Sequence, residues 1–153
     1  MYKLARTFEL FEPLQERIRN GMATFGTCAG MIMLADRVID GTNDQETLGG
    51  LDITVRRNAF GRQVDSFEAA VAIDDIPGGD FHAVFIRAPW VEKVGAEVSV
   101  LGRVTAGPAA GRIVAVRQGN REAVEALTRG LIAKLLRQKA HLGTILGEPL
   151  LQA

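Results

Sequence analysis

The hydrophobic positions fall into two regimes. In the first forty residues they recur at helical spacing. Phe11, Leu14 and Ile18 lie three and four apart, which predicts a helix over Phe8–Asn20 with Gly21 just past its end. Pro13 lies inside that pattern and suits a first turn, so it places the helix start near itself. Met22–Thr27 is a short apolar run and predicts a strand. Met31, Leu34, Ala35 and Val38 share one face of a second predicted helix, Ala29–Ile39. The stretch "DGTNDQETLGG" has the composition of a loop.

Beyond that loop the period shortens to two, or to brief β-branched runs. Strands are predicted at Leu51–Arg56, Phe67–Ile73, Ala83–Arg87, Glu97–Val104 and Arg112–Arg117. The segments "DDIPGGD" and "TAGPAAG" are the turns between them. Asn120 is a candidate cap for a last helix, Glu122–Ala140, striped by Val124, Leu127, Leu131 and Leu135. Gly130 weakens that helix by about 1 kcal/mol relative to alanine. The mixture predicts one α/β or α+β domain spanning 1–153, with no linker to divide it.

Composition narrows the possible partners. Eighteen basic and eighteen acidic residues cancel, which argues against nucleic acid and against an anionic membrane surface. No apolar run reaches the roughly 18–20 residues of a bilayer span, and "MYKLARTFELFEPLQERIRNG" has no separate apolar core of a secretory leader. One cysteine forms no intrachain disulfide, so a reducing cytoplasm is the expected compartment. One cysteine and two distant histidines make no metal-ligand cluster, and no cofactor is expected.

That cysteine, Cys28, sits in "FGTCAGMIML" at the spacing G-x-C-x-G. A strand, this motif and then a helix form a nucleophile elbow, a tight turn in which side chains two residues to either side would clash. At a helix N-terminus the macrodipole favours a thiolate, and the Ala29 backbone N–H is the oxyanion candidate. The bland alternative is a small buried thiol between two turn glycines. A base is harder to find. His82 opens the apolar strand "FHAVFIRAP", and His141 follows a basic helix end; each reads more simply as an edge or surface residue.

Five stretches together resemble one family: "EPLQERIRNG", "FGTCAGMIMLA", "LGGLDITVRRNAFGRQVDSFEA", "AVFIRAPWVEKVG" and "GRIVAVRQGN". The family is the glutaminase subunit of pyridoxal 5'-phosphate synthase, among the class I, triad-type glutamine amidotransferases. The likeness is strongest over 10–120, and 121–153 is a divergent helical tail. The resemblance implies a three-layer α/β sandwich with a mostly parallel sheet and some antiparallel strands. It implies hydrolysis of glutamine to glutamate and ammonia, and transfer of the ammonia to a synthase subunit in a hetero-oligomer that makes pyridoxal 5'-phosphate. It assigns Cys28 as nucleophile, and Arg57, Ile86 and Arg87 as glutamine-binding positions. An arginine fork suits an α-carboxylate.

Two family segments find no match. A G-G-E-S-T loop should precede the position of Met1-Tyr2, and a His-Pro-Glu strand should follow "RQGN", where this chain reads "REAVEALTRGLIAKLLRQKA". The sandwich is therefore expected to be incomplete at its N-terminal side and the glutaminase activity low. Two alternatives stand beside the enzyme: a shortened relative that binds the synthase subunit or glutamine, and an unrelated thiol hydrolase using His82 as base.

Overall fold

The computed structural model describes residues 1–41, 45–57, 59, 67–73, 80–119 and 121–124. The chain opens with helix α1 (Tyr2–Thr7), which periodicity does not reveal because it buries none of its residues. Arg6 holds it in place: its guanidinium lies 4.1 Å over the Phe11 ring and pairs with Glu12 and Glu46. Helix α2 (Phe11–Arg19) buries Phe11 and Ile18, two members of the predicted stripe. Pro13 is tolerated in its first turn, where backbone N–H groups have no intrahelical acceptor. The predicted stop is a Schellman motif. Gly21 at φ +93 donates to the Ile18 carbonyl, and Met22 donates to that of Arg17.

Strand β1 (Thr24–Gly26) leads into helix α3 (Ala29–Leu34), which runs without a loop into strand β2 (Ala35–Ile39). The predicted helix Ala29–Ile39 is thus half helix and half strand. Ala35 turns to ψ 140, and residues 35–39 pair in parallel with Leu51–Arg56, which is strand β3. Backbone pairing with β3 outweighs a side-chain pattern that fits either period.

Gly50 at the entry to β3 has φ +101, and a Cβ there would lie 2.5 Å from Ile18 Cγ2, in a side chain only 1% exposed. Gly50→Ala is therefore expected to lower stability by about 1–3 kcal/mol, read as a lower denaturant midpoint.

The remaining strands among the described residues are β4 (Phe67–Ile73), β5 (Phe81–Phe85), β6 (Trp90–Val94), β7 (Ser99–Val104), β8 (Ile113–Gln118) and β9 (Arg121–Val124). They join one nine-stranded sheet in the order β2-β3-β6-β8-β7-β4-β5, with β9 beside β8 and β1 beside β9. Two corrections follow. First, the sheet is mixed and mainly antiparallel among the described residues, not mostly parallel: only β1–β9 and β2–β3 are parallel pairs. Parallel strands need a crossover of about a dozen residues, which separates β2 from β3; the short links of β7–β8 and β8–β9 permit only hairpins.

Second, residues 121–124 form a strand rather than the start of a helix, because Gly119 at φ +59 turns the chain back through a two-residue link. The rest of the predicted helix, His141 and the "DDIPGGD" turn up to Gly79 lie outside the described residues. Strand β6 carries only a weak alternation and was not predicted.

Among the described residues the core forms two clusters. One joins Ile18, Met31 and Leu34 of the helices to Leu51, Ile53, Val55, Val91 and Val116 of the sheet. The other gathers Val71, Phe85, Leu101 and Val114 and contains no helical residue. Among the described residues the sheet therefore carries one helical layer rather than the expected two.

Candidate active site

The elbow is built by a close approach of backbone to backbone. A Cβ on Gly26 would lie 2.6 Å from the Gly30 carbonyl oxygen, 2.7 Å from its carbon and 2.8 Å from Leu34 Cδ1. Glycine is required there. Gly30 is different: a Cβ would meet nothing within 4 Å, so only the first glycine of G-x-C-x-G is needed to avoid a clash. Between them Cys28 takes φ 49 and ψ −113 at the N-cap of α3, a conformation costly to any residue with a side chain. The turn is closed by the Gly30 N–H donating to the Thr27 carbonyl at 2.6 Å. Cys28 is half-buried.

Beside the elbow lies a pocket of about 330 Å³. Helix α3 contributes Ala29, Ile32 and Met33, α1 contributes Tyr2 and Lys3 after Met1, and Gln45 and Arg57 complete the wall. Arg57 follows β3. Its backbone N–H donates to the Ile39 carbonyl, and its Nη1 donates to Gln45 Oε1. The structure thus brings Ala29, next to Cys28, into one pocket with Arg57.

Ile86 and Arg87 do not line it. Ile86 is 53% exposed, and Arg87 is exposed at φ 49. They are tethered nearby, because the Ala59 N–H donates to the Ala88 carbonyl at 3.1 Å, linking "RRNA" to "IRAP". Sequence reasoning missed Gln45, which sits in a polar loop with no periodicity, and Tyr2 and Lys3, whose helix buries nothing.

His82 is elsewhere. It lies on β5, five strands from β1 along the sheet, exposed and 2.6 Å from the equally exposed Glu68 carboxylate. It does not line the pocket, so nothing in the geometry favours the unrelated thiol hydrolase. Among the described residues no group of three or more His, Cys, Asp or Glu could hold a metal, and no helix is long and apolar enough to cross a membrane.

Arg56, next to Arg57, belongs to a separate charged cluster. It donates to Asp40 at 2.7 Å and lies 3.6 Å from Glu92, which also accepts from the Trp90 indole N–H. The indole bond first, and then Arg56, hold the Glu92 carboxyl below its ordinary range. A carboxylate with a depressed folded-state pKa stabilises above its unfolded pKa, about 4.3, and loses that contribution as pH falls through the folded value. Glu92→Gln is expected to lower the denaturant midpoint at pH 7, and the gap from wild type should close on acidification below about pH 4. A gap independent of pH would contradict the assignment.

The whole pattern, from elbow to "IRAP" segment, falls within residues 1–127, which match the family model of the SNO glutamine amidotransferases. The chain belongs to the SNO glutamine amidotransferase family. It is 72% identical over 122 residues to the pyridoxal 5'-phosphate synthase subunit PdxT of a Nocardioides strain, covering 78% of this chain and 59% of that protein. It is 65% identical over 118 residues to the protein of the same name from Salinispora arenicola, covering 77% and 59%. The chain thus spans less than two thirds of the length of these curated relatives. Among solved structures, a glutamine amidotransferase crystal structure superposes with a TM-score of 0.74 at 39% identity, over 88% of this chain and 70% of that one. The family's α/β fold is therefore the fold of this chain.

Proposed function

We propose that this SNO-family chain is the glutaminase component of a pyridoxal 5'-phosphate synthase, a single glutaminase-like domain that releases ammonia from glutamine for a synthase subunit. The observation that carries the reading is the strained Cys28 elbow abutting a pocket that contains Arg57. Cys28 Sγ attacks the side-chain amide carbon of glutamine. The C–N bond breaks, ammonia leaves with the thiol proton, and a thioester remains. Water then cleaves the thioester to glutamate and regenerates the thiol. The Ala29 N–H is the oxyanion donor, and Arg57 holds the α-carboxylate, with Ile86 and Arg87 as further glutamine-binding positions.

A second reading is favoured by a specific observation: none of the described residues lining the pocket is His, Asp or Glu. A chain without a base binds glutamine or the synthase subunit and turns over little. One pair of measurements separates the two. A chloroketone analogue of glutamine alkylates a positioned thiolate, which displaces chloride, whether or not a base is present. Ammonia release, measured with and without the synthase subunit, requires the complete machinery. Labelling of Cys28 with turnover supports the glutaminase, and labelling without turnover supports the binding module. Absence of glutamine-protected labelling would sink the glutaminase and the glutamine-binding module, leaving only a module that docks on the synthase subunit. Arg57→Ala is expected to raise the glutamine concentration needed for half-protection about tenfold or more, the effect of losing a charge-assisted hydrogen bond.

A further inference from the structure

Two arginines sit side by side after β3, and their surroundings differ in charge. Arg56 is neutralised by Asp40 and Glu92. Arg57 is paired with a neutral amide, Gln45 Oε1, and among the described residues no carboxylate lies within ion-pair distance of it. The described acidic residues nearest to it in the sequence and beside Gln45 are bonded elsewhere, and Asp52 pairs with Arg37. Asp40 is 2.7 Å from Arg56, and Glu46, next to Gln45, is drawn to Arg6, whose Nε lies 2.7 Å from its Oε2.

A guanidinium has five N–H donors in a rigid fork. One directed at an amide oxygen fixes the plane of the fork without cancelling its charge. A carboxylate in the same place would fix the plane as well, but would neutralise the cation and repel an incoming anion. Gln45 and Arg57 both line the pocket.

The geometry points to Gln45 as a positioning and charge-preserving residue that keeps Arg57 oriented and cationic for the carboxylate of an amino-acid ligand. This rests on the glutamine site proposed above. It carries an unusual sign. Gln45→Glu keeps the hydrogen bond to Arg57, and even strengthens it, yet it should bind the ligand worse than Gln45→Leu, which removes the bond and leaves the charge.

The test is protection of Cys28 by L-glutamine against the chloroketone analogue, followed by intact mass on the full chain. Wild type, Gln45→Glu, Gln45→Asp and Gln45→Leu are compared. Iodoacetamide, which has no α-carboxylate, serves as the control electrophile. The two carboxylate variants should raise the half-protecting concentration about tenfold or more and Gln45→Leu by less, with iodoacetamide labelling unchanged throughout. Protection in Gln45→Glu and Gln45→Asp equal to wild type overturns the inference. So does a loss in Gln45→Leu that Gln45→Glu restores, which is the mark of a purely structural bond. If one carboxylate variant fails to fold, the other still decides. Wild type labelled but not protected by glutamine removes the glutamine site itself, and the inference with it, before any variant is compared.

Discussion

Gly26→Ala is expected to destabilise the chain by about 3 kcal/mol and to remove selective labelling of Cys28 in the same step. The new methyl would sit 2.6 Å from a carbonyl oxygen and 2.7 Å from a carbonyl carbon. Both belong to the backbone of Gly30, in the first turn of α3, and cannot swing aside as a side-chain end could. Either α3 moves away from β1 or the turn opens. Both displace Cys28, which holds φ 49 within that closed turn. Denaturant unfolding and chloroketone labelling measure the two consequences on one sample. Gly30→Ala is the control, because a Cβ there meets nothing within 4 Å. Its effect should be confined to a few tenths of a kcal/mol, the ordinary scale of a surface substitution. Equal losses from the two alanines would refute the crossing geometry.

Cys28→Gly is expected to abolish chloroketone labelling, and on the proposed glutaminase reading glutamine turnover as well, while raising the melting temperature. On the activity side, removing the nucleophile of a covalent mechanism costs about 10⁴–10⁶ in rate. On the stability side, Cys28 is held at φ 49, ψ −113, a region glycine occupies freely. Relief of that strain is worth of the order of 1–3 kcal/mol, offset in part by the greater entropy of a glycine in the unfolded chain. Cys28→Ala, which loses the thiol but keeps the Cβ and its strain, should be equally inert and melt lower than Cys28→Gly. If the alanine variant melted as high as the glycine, the strain would not lie in the backbone of residue 28.

Local chemistry was most legible where one period and clear punctuation coincided. The strands Leu51–Arg56 and Phe67–Ile73 were predicted to the residue, because β-branched or apolar runs there are bounded by turn residues. The end of α2 was legible from Gly21 alone. Residues 35–39 were not, because Ala35 and Val38 satisfy a helical face as readily as a strand, and only the partner strand β3 decides. The sense of the sheet followed the resemblance too far. Short links force hairpins, and the Gly-Asn step before Arg121 is a hairpin signal that the apolar stripe beyond it concealed. In the site, Cys28 and Ala29 are visible in the G-x-C-x-G pattern, and Arg57 is visible only through the family likeness. The positioning role proposed for Gln45 leaves no trace in the sequence, because it depends on what the described acids around it are bonded to.

The pairing of β1 sets the order in which the elbow can be made. Among the described strands β1 hydrogen-bonds only to β9, from Thr24 against Arg121 to Gly26 against Ala123, across almost the whole described length of the chain. Contacts of such separation form late, after the loop-closure entropy has been met. During synthesis, at about 5–20 residues per second, the β1–β9 pairing that leads into Cys28 waits until β9 has left the ribosome. In the finished protein the same dependence runs in reverse: any transient opening that lifts β9 from the sheet also loosens the elbow, so the exchange of the β9 amides and the reactivity of one thiol should rise and fall together.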